Sequence, residues 1–458
     1  MINHPLPRHA LSVLACTVLA ACGGGTPDDS DTAATATAAE PESRAAIAST
    51  TSPGAVRLAS ANASGTPGNL GGRVCAISAD GQKVLMITPS SNLVSGDSNS
   101  SDDLFLKDLG TGAVTQVNTS PAGAPLVNRT QLLCHDMTPD ATWVAFTSST
   151  GGGNSFLDPG TPLESTLMLK NIRTGELLRV SPTRGSLPNT QGFTFGSMTP
   201  DGSRVAFIAQ PTVTYLGAYN WVVNGPARLM VYDRPTGQVL DLSGTALLDA
   251  VVGPSTNRAL ISPDGREVAF DSRRNHPAAG DNNGQHDVLL ADVATGAVRL
   301  AGLVSQGNPV LHRYTADGLR LVVEYPNDGP LGVGGLYAAT LATGGSTLLM
   351  PVPSSESNRP RAYRVDDTAS RVAFLRFDPA TAQRQYAFVR DTATGSEQRA
   401  DRSATNVNGN GNTTSFAISG DGQHVALGSS STNLLRLPRN TFVWQVYVKT
   451  LSAAPAAQ

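Results

Sequence analysis

A turn-and-strand pattern that recurs seven times, a second turn that recurs six times, and an excess of Gly and Pro over charge predict an all-β chain. The architecture they predict is a seven-bladed β-propeller of four-stranded antiparallel blades. The 458 residues include 46 Gly and 30 Pro, with only 15% charged side chains, a balance that suits many turns and few helices.

The repeat is clearest in residues 257–301. An apolar run, Ala259 to Ile261, meets the turn Ser262-Pro263-Asp264-Gly265, and an alternating run follows from Glu267 to Asp271. After a polar loop comes a third run, Asp287 to Val293, then a Thr295-Gly296 turn and a fourth run, Ala297 to Leu300. Four short period-2 runs separated by turn signals make one antiparallel four-stranded unit.

The first turn recurs at Asp80, Asp140, Asp201, Asp264, Asp317 and Asp421, with a degenerate copy at Thr368-Ala369. The spacings are 60, 61, 63, 53, 51 and 53 residues, a period typical of solenoids and propellers. Three residues before each turn stands a large apolar residue: Ile77, Met137, Met198, Ile261, Tyr314, Val365 or Ile418. Two residues before it stands a hydroxyl in six copies: Ser78, Thr138, Thr199, Ser262, Thr315 and Ser419. The second turn is Thr-Gly at 111, 174, 236, 295, 343 and 394, and each introduces a fourth strand. The seventh copy has no such turn. Its missing strand is expected at the other end, where Gly54-Ala55-Val56-Arg57-Leu58 matches Gly112-Ala113-Val114-Thr115-Gln116. Residues 54–60 are therefore expected to complete the last blade and close the ring, leaving no open array edge. Blades are expected near 73–118, 131–181, 193–243, 257–301, 310–351, 361–402 and 413–451 plus 54–60, within a propeller of residues 54–452, with 453–458 as a polar tail.

These residues resemble the TolB-type, WD-like propeller repeat, S-x-D-G-x-x-V-A-F followed by a strand and a T-G turn. The resemblance spans 54–452. The chain departs from it in lacking a preceding α/β domain, in having seven copies rather than six, and in worn fifth and sixth copies. The resemblance implies an envelope propeller that binds proteins, and it carries over no catalytic residue.

The N-terminus is expected to be an address. His4, Arg8 and His9 precede an apolar stretch from Ala10 to Ala21, too short for a permanent span. Leu19-Ala20-Ala21-Cys22 resembles a bacterial lipobox, which implies a signal peptide of residues 1–21 and lipidation of Cys22. Gly23 after it implies the outer membrane, with the protein facing the periplasm. Residues 22–53, nearly free of large apolar side chains, read as a flexible tether spanning on the order of 30 Å. The formal net charge of −3 argues against a nucleic-acid surface.

The repeated turn residues have a structural explanation. Asp and Ser accept bonds from nearby main-chain N–H groups, and Gly supplies positive φ. Specificity is expected where copies differ. On the innermost strands, His135, Asp136, His312, Arg313, Arg361 and Arg364 break the apolar pattern. They are candidates for a polar, partly cationic channel mouth able to hold an anionic group, although mutual pairing around a solvated channel is the simpler reading. Two loops share G-D-x-N-x-x-x-D: Asp97, Asn99 and Asp103, and Asp281, Asn283 and Asp287. Such oxygens can gather Ca²⁺, although three fall short of the usual six to eight, and loop shaping is the simpler reading. Cys75 and Cys134 lie five and six residues before their turns. That parity points them to opposite faces, against a disulfide, unless a bulge intervenes.

No G-x-S-x-G elbow, H-E-x-x-H helix, C-x-x-C-H site or phosphate loop occurs. The sequence therefore leans away from an enzyme. It favours a non-enzymatic scaffold of the cell envelope with unidentified protein partners. Irregular insertions at 151–166 and 211–227 would supply specificity, with Tyr215, Tyr219 and Trp221 as an aromatic interface. The alternative is a channel-centred periplasmic enzyme, or a propeller that binds a small molecule or glycan.

Overall fold

The structure is a computed structural model. It describes residues 52–452 except 98, 100, 127–130, 151–163, 184, 218–219, 226, 245–257, 274, 304–307, 328, 354–359, 361, 378–383 and 439–443. Cys22, Tyr219 and Arg361 lie outside the described residues, as do the signal segment, nearly all of the tether and the last residues of the tail.

Seven antiparallel sheets form a ring of blades. Blade 1 runs outward through Arg73–Ile77, Lys83–Thr88, Asp103–Asp108 and Val114–Gln116. The innermost strands of blades 2 to 7 are Gln131–Met137, Thr190–Met198, Leu260–Ile261, Val310–Tyr314, Tyr363–Val365 and Thr413–Ile418. The fourth strand of blade 7 is Val56–Leu58, paired with Gln445–Thr450 through Val56↔Lys449, Arg57↔Val448 and Leu58↔Tyr447. Around this seam Ser60 donates to Gln445 at 2.6 Å and the buried Lys449 ammonium donates to the Gly54 carbonyl at 2.7 Å. The ring's two ends also meet at its centre, where the Val74 N–H donates to Ser415 Oγ at 2.9 Å.

The repeated turn is a hydrogen-bonded knot. In blade 1, Ser78 Oγ donates to Asp80 at 2.5 Å and accepts from the Lys83 N–H at 2.8 Å, and Gly81 takes a φ of +69°. The same pair of bonds recurs at Thr138, Thr199, Ser262, Thr315 and Ser419. The degenerate sixth copy inverts the chemistry. Asp366 occupies the hydroxyl position, accepts from Thr368 at 3.1 Å and from the Arg371 N–H at 3.1 Å, and Ala369 holds the left-handed residue at φ +58°.

Apolar clusters fill the spaces between neighbouring blades. Most positions in these clusters are aliphatic. The centres are not: Phe146, Phe207, Phe270 and Phe374, from the V-A-F strands, are fully buried, as are Tyr325, Tyr337 and Tyr447. A large ring spans the gap between splaying blades better than a branched aliphatic chain, and burying each is worth roughly 1.5–3 kcal/mol.

The insertion at 211–227 is not irregular. The second strand of blade 3 continues through Arg204–Gly217 and pairs with an added strand, Asn220–Asn224, placing Tyr215 opposite Trp221 in register. β-branched residues at Thr212, Val213, Thr214, Val222 and Val223 explain why this stretch extends as a hairpin.

Candidate functional site at the channel

The innermost strands carry a recurrent bulge. One residue is left without a register partner at Cys75, His135, Gly196 and His312 in blades 1, 2, 3 and 5. A bulge turns its extra side chain away from the regular alternation. In blade 7 it falls earlier, at Thr414, and the short innermost strands of blades 4 and 6 have none.

The bulges overturn the parity argument for the cysteines. Cys75 is itself bulged and Cys134 directly precedes a bulge, so the two side chains hydrogen-bond across blades 1 and 2. Both are free thiols. Burial, and then the contact with Cys75, pushes the Cys134 thiol well above its ordinary range.

His135 stacks on Phe195 of blade 3, with ring centroids 4.9 Å apart and planes 11° from parallel, and its Nε2 lies 2.6 Å from Thr147 Oγ1. Burial pushes its pKa down to about 4, so it is a neutral imidazole near pH 7.

His312 lies 3.2 Å from Glu324 Oε2 and edge-on to Tyr363, at 5.8 Å between centroids. Burial lowers its pKa; Glu324 opposes this, and the positive charges of Arg258 and Arg364 add to it. Arg313 reaches from blade 5 to blade 6, donating to the Val365 carbonyl at 2.7 Å and to Asp367 at 2.6 Å. Asp136 accepts from the Met137 N–H at 2.8 Å. Burial raises its pKa against the pull of Arg313 and Arg364, and Asp367 raises it further.

Two guanidiniums complete the constellation. Arg364 donates to the Tyr363 carbonyl at 2.9 Å and lies 5.6 Å from the Phe416 ring. Arg258, just before the innermost strand of blade 4, feels Asp271 and Glu324 at longer range. Burial lowers the pKa of both, and the charge of Arg258 lowers that of Arg364 again. Each stays open to solvent while surrounded by protein, as a channel-facing side chain must be. Among the described residues neither forms a salt bridge, whereas Arg313 is paired with Asp367. Two neighbouring guanidiniums without a salt bridge have donors left over for an anion.

The structure thus groups Asp136, His312, Arg313 and Arg364 through their charges, and turns His135 toward blade 3. Sequence inspection missed Arg258, Glu324 and Asp367. Arg258 lies six residues before its turn, one step beyond the two positions compared across the copies. Glu324 had a visible signal: Leu321-Val322-Val323-Glu324-Tyr325 places an acid in a strand that is otherwise apolar.

Elsewhere, Asp97 and Asp103 are both buried, whereas Asn99 is exposed and its Oδ1 caps the Ser101 N–H at 2.8 Å. In the matching loop Asp281 accepts from the His276 N–H at 3.1 Å, and Asn283 caps Gln285 at 2.6 Å. Both asparagines therefore shape their loops.

No protein-family model matches the chain, and no curated protein matches it. Solved structures do. An oligogalacturonate lyase from Vibrio parahaemolyticus aligns with a TM-score of 0.53 at 14% identity, over 84% of this chain and 92% of that one. An oligogalacturonate lyase in complex with manganese aligns with a TM-score of 0.51 at 15% identity, over 84% and 90%. TolB from Acinetobacter baumannii aligns with a TM-score of 0.38 at 14% identity, over 76% of each chain. At these identities the likeness establishes the propeller fold alone. The expectation of a non-enzymatic scaffold is corrected: two propellers that align at TM-scores above 0.5 are those of a lyase.

Proposed function

We propose that the channel mouth binds a carboxylate-bearing saccharide, of the oligogalacturonate kind, and acts on it as a lyase. The observation that carries this reading is the pair Arg258 and Arg364, whose charges repel and which form no salt bridge among the described residues, with Asp271 and Glu324 acting on Arg258 and Asp136 on Arg364 only at longer range. A uronate carboxylate between them would relieve that repulsion and accept charge-assisted bonds from both. Neutralising the carboxylate makes the adjacent C–H more acidic. His312, kept neutral by burial and by the same two arginines, is the candidate acceptor of that proton. Asp136, held toward its protonated form by burial, is the candidate donor to the leaving glycosidic oxygen. The C–H electron pair becomes the new C=C bond as the C–O bond breaks, and the proton lost to His312 is matched by the one Asp136 gives. The manganese named for one lyase is not carried over: among the described residues no three His, Cys, Asp or Glu side chains group to hold a metal ion. By its lipobox-like start, the chain is also proposed to be lipid-anchored in the bacterial envelope through Cys22; growth with a labelled fatty acid should mark the wild type and not Cys22→Ser.

The test is calorimetric titration with oligogalacturonate and with a neutral oligosaccharide of equal length, followed by the ultraviolet absorbance of an unsaturated uronate product. Arg258→Ala and Arg364→Ala should each weaken acidic-saccharide binding by roughly 10–100-fold. His312→Gln should bind and not turn over. Equal or absent binding of the acidic and neutral ligands would sink the reading. Selective binding without turnover would leave a glycan-binding propeller and remove the lyase chemistry.

A further inference from the structure

We propose that Asp97 and Asp103, in blade 1, hold a Ca²⁺ ion that ties the loop between the second and third strands to the body of the blade. Asp97 is 8% exposed and Asp103 is fully buried. Both oxygens of Asp97 and Oδ2 of Asp103 are buried without a hydrogen-bond partner. The remaining oxygen, Asp103 Oδ1, accepts from Asn118 Nδ2 at 2.6 Å, and Asn118 Oδ1 in turn accepts from the Leu104 N–H at 2.9 Å. That bridge fixes Asp103 with its free oxygen left over. The two carboxylates are close enough to repel, and the Asn99 main chain offsets this only in part at Asp97. Among the described residues neither makes a salt bridge.

Three buried, unsatisfied carboxylate oxygens beside one another are costly unless a counter-charge joins them. No basic side chain does. The donors are all hard oxygens, with no thiol or imidazole among them, which selects a hard cation. Ca²⁺ accepts irregular, partly bidentate carboxylate geometry and fills its remaining positions with main-chain carbonyls and water, whereas Mg²⁺ demands near-ideal octahedra. With only two carboxylates, affinity belongs to the weak class, on the order of 10⁻⁴–10⁻³ M.

The blade 4 loop is an internal control. It carries the same G-D-x-N-x-x-x-D sequence, but Asp281 is engaged by the His276 N–H, which leaves one free oxygen, Asp287 Oδ2. A shared motif thus makes a cation pocket in one blade and a closed loop in the other.

The experiment uses the full chain after chelator treatment, titrated calorimetrically with CaCl₂ and melted with and without millimolar Ca²⁺. The expected result is one Ca²⁺ per chain and a melting temperature raised by a few degrees. Both effects should be lost in Asp97→Asn and in Asp103→Asn, and kept in Asp281→Asn. If Asp103→Asn does not fold, Asp97→Asn, in the loop itself, decides the matter. The proposal is overturned if wild type shows neither heat nor a shift, if Asp97→Asn keeps both, or if Mn²⁺ or Mg²⁺ acts and Ca²⁺ does not. Saccharide binding at the channel is read separately, so failure of one proposal does not imply failure of the other.

Discussion

Gly196→Ala tests the geometry that positions Arg258. Gly196 is the bulged residue of blade 3, at the position held by Cys75, His135 and His312 elsewhere. A Cβ built there lies 1.9 Å from the Ala259 carbonyl oxygen, 2.8 Å from the Ala259 carbonyl carbon and 2.9 Å from the Ala206 carbonyl oxygen. Real Cβ contacts essentially never fall below 3.0 Å, so the Ala259 oxygen must move by about 1.1 Å. All three obstacles are backbone, Ala206 on the neighbouring strand of blade 3 and Ala259 in blade 4, and no side-chain rotation relieves them. Overpacking a dense core by one carbon costs about 1–3 kcal/mol; with backbone on both sides the upper end is expected, about 3 kcal/mol. Ala259 follows Arg258 directly, so the shift also moves the guanidinium. Misplacing a positioning group by about 1 Å can cost on the order of 100-fold. The assay is urea denaturation, read as a lowered midpoint at constant slope, together with titration by the acidic saccharide. Gly192→Ala, on the same strand with nothing within 4 Å of its Cβ, is the matched control. If Gly196→Ala melts and binds like Gly192→Ala, the close approach of blades 3 and 4 is wrong, and with it the placement of Arg258.

Other perturbations have equally definite signs. His135 has a folded-state pKa near 4, below its unfolded value of about 6.5, so it stabilises the fold above that value and the contribution is lost as pH falls through about 4. Over that window the loss is about 3 kcal/mol, and His135→Gln should flatten the pH dependence of urea stability between pH 5 and 7. Lys107, buried, donates to the carbonyls of Ala61, Asn62 and Gly112 at 2.9, 3.1 and 2.7 Å, so Lys107→Met should cost about 2–4 kcal/mol by leaving those acceptors unpaired, again read from the urea midpoint. Gly81→Ala combines a φ of +69° with a Cβ 2.3 Å from the His424 ring at the junction of blades 1 and 7, and should lower thermal stability more than Gly237→Ala, whose surroundings are open. Cys134, with its thiol pKa raised, should alkylate only slowly at neutral pH, and much faster once urea exposes it, by mass-spectrometric peptide mapping.

The ring was legible in the sequence because its determinants are local. Each Asp-Gly knot closes within five residues, as Ser78 does with Asp80 and Lys83, and a strand's alternation is visible wherever one face is buried. The channel was legible only in part. His312, Arg313 and Arg364 stood out because a charged residue replaced an apolar one in an aligned position. Arg258 did not, since which residue reaches the channel depends on whether a blade is bulged, and a bulge leaves no mark in composition. The same blindness misjudged the cysteines, whose parity argument failed on one extra residue per strand. Cation chemistry was hidden for another reason. The two G-D-x-N-x-x-x-D loops are indistinguishable in spacing, and they diverge because the His276 N–H reaches Asp281, whereas among the described residues only the Asn99 main chain stabilises the Asp97 carboxylate.

This places the site's specificity in the breaks of the repeat rather than in the repeat. Where the innermost strand bulges, the extra residue is Cys75, His135, Gly196 or His312, and only His312 joins the charged cluster. Arg258, just before the innermost strand of blade 4, and Arg364, on that of blade 6, are the arginines of this cluster that form no salt bridge among the described residues. Those two blades flank blade 5, so His312 stands between them along the ring, with each neighbour contributing one guanidinium. Glu324 lies against His312, yet neither flanking guanidinium forms a salt bridge among the described residues, whereas a structural core would pair its charges as Arg313 pairs with Asp367. This arrangement suits a pocket that binds an anion, as proposed above. Reversing one charge should therefore exclude the ligand: Arg364→Glu, at an exposed side chain, ought to abolish acidic-saccharide binding while leaving the innermost strands paired. If that variant binds the saccharide as wild type does, the anion does not sit between these arginines.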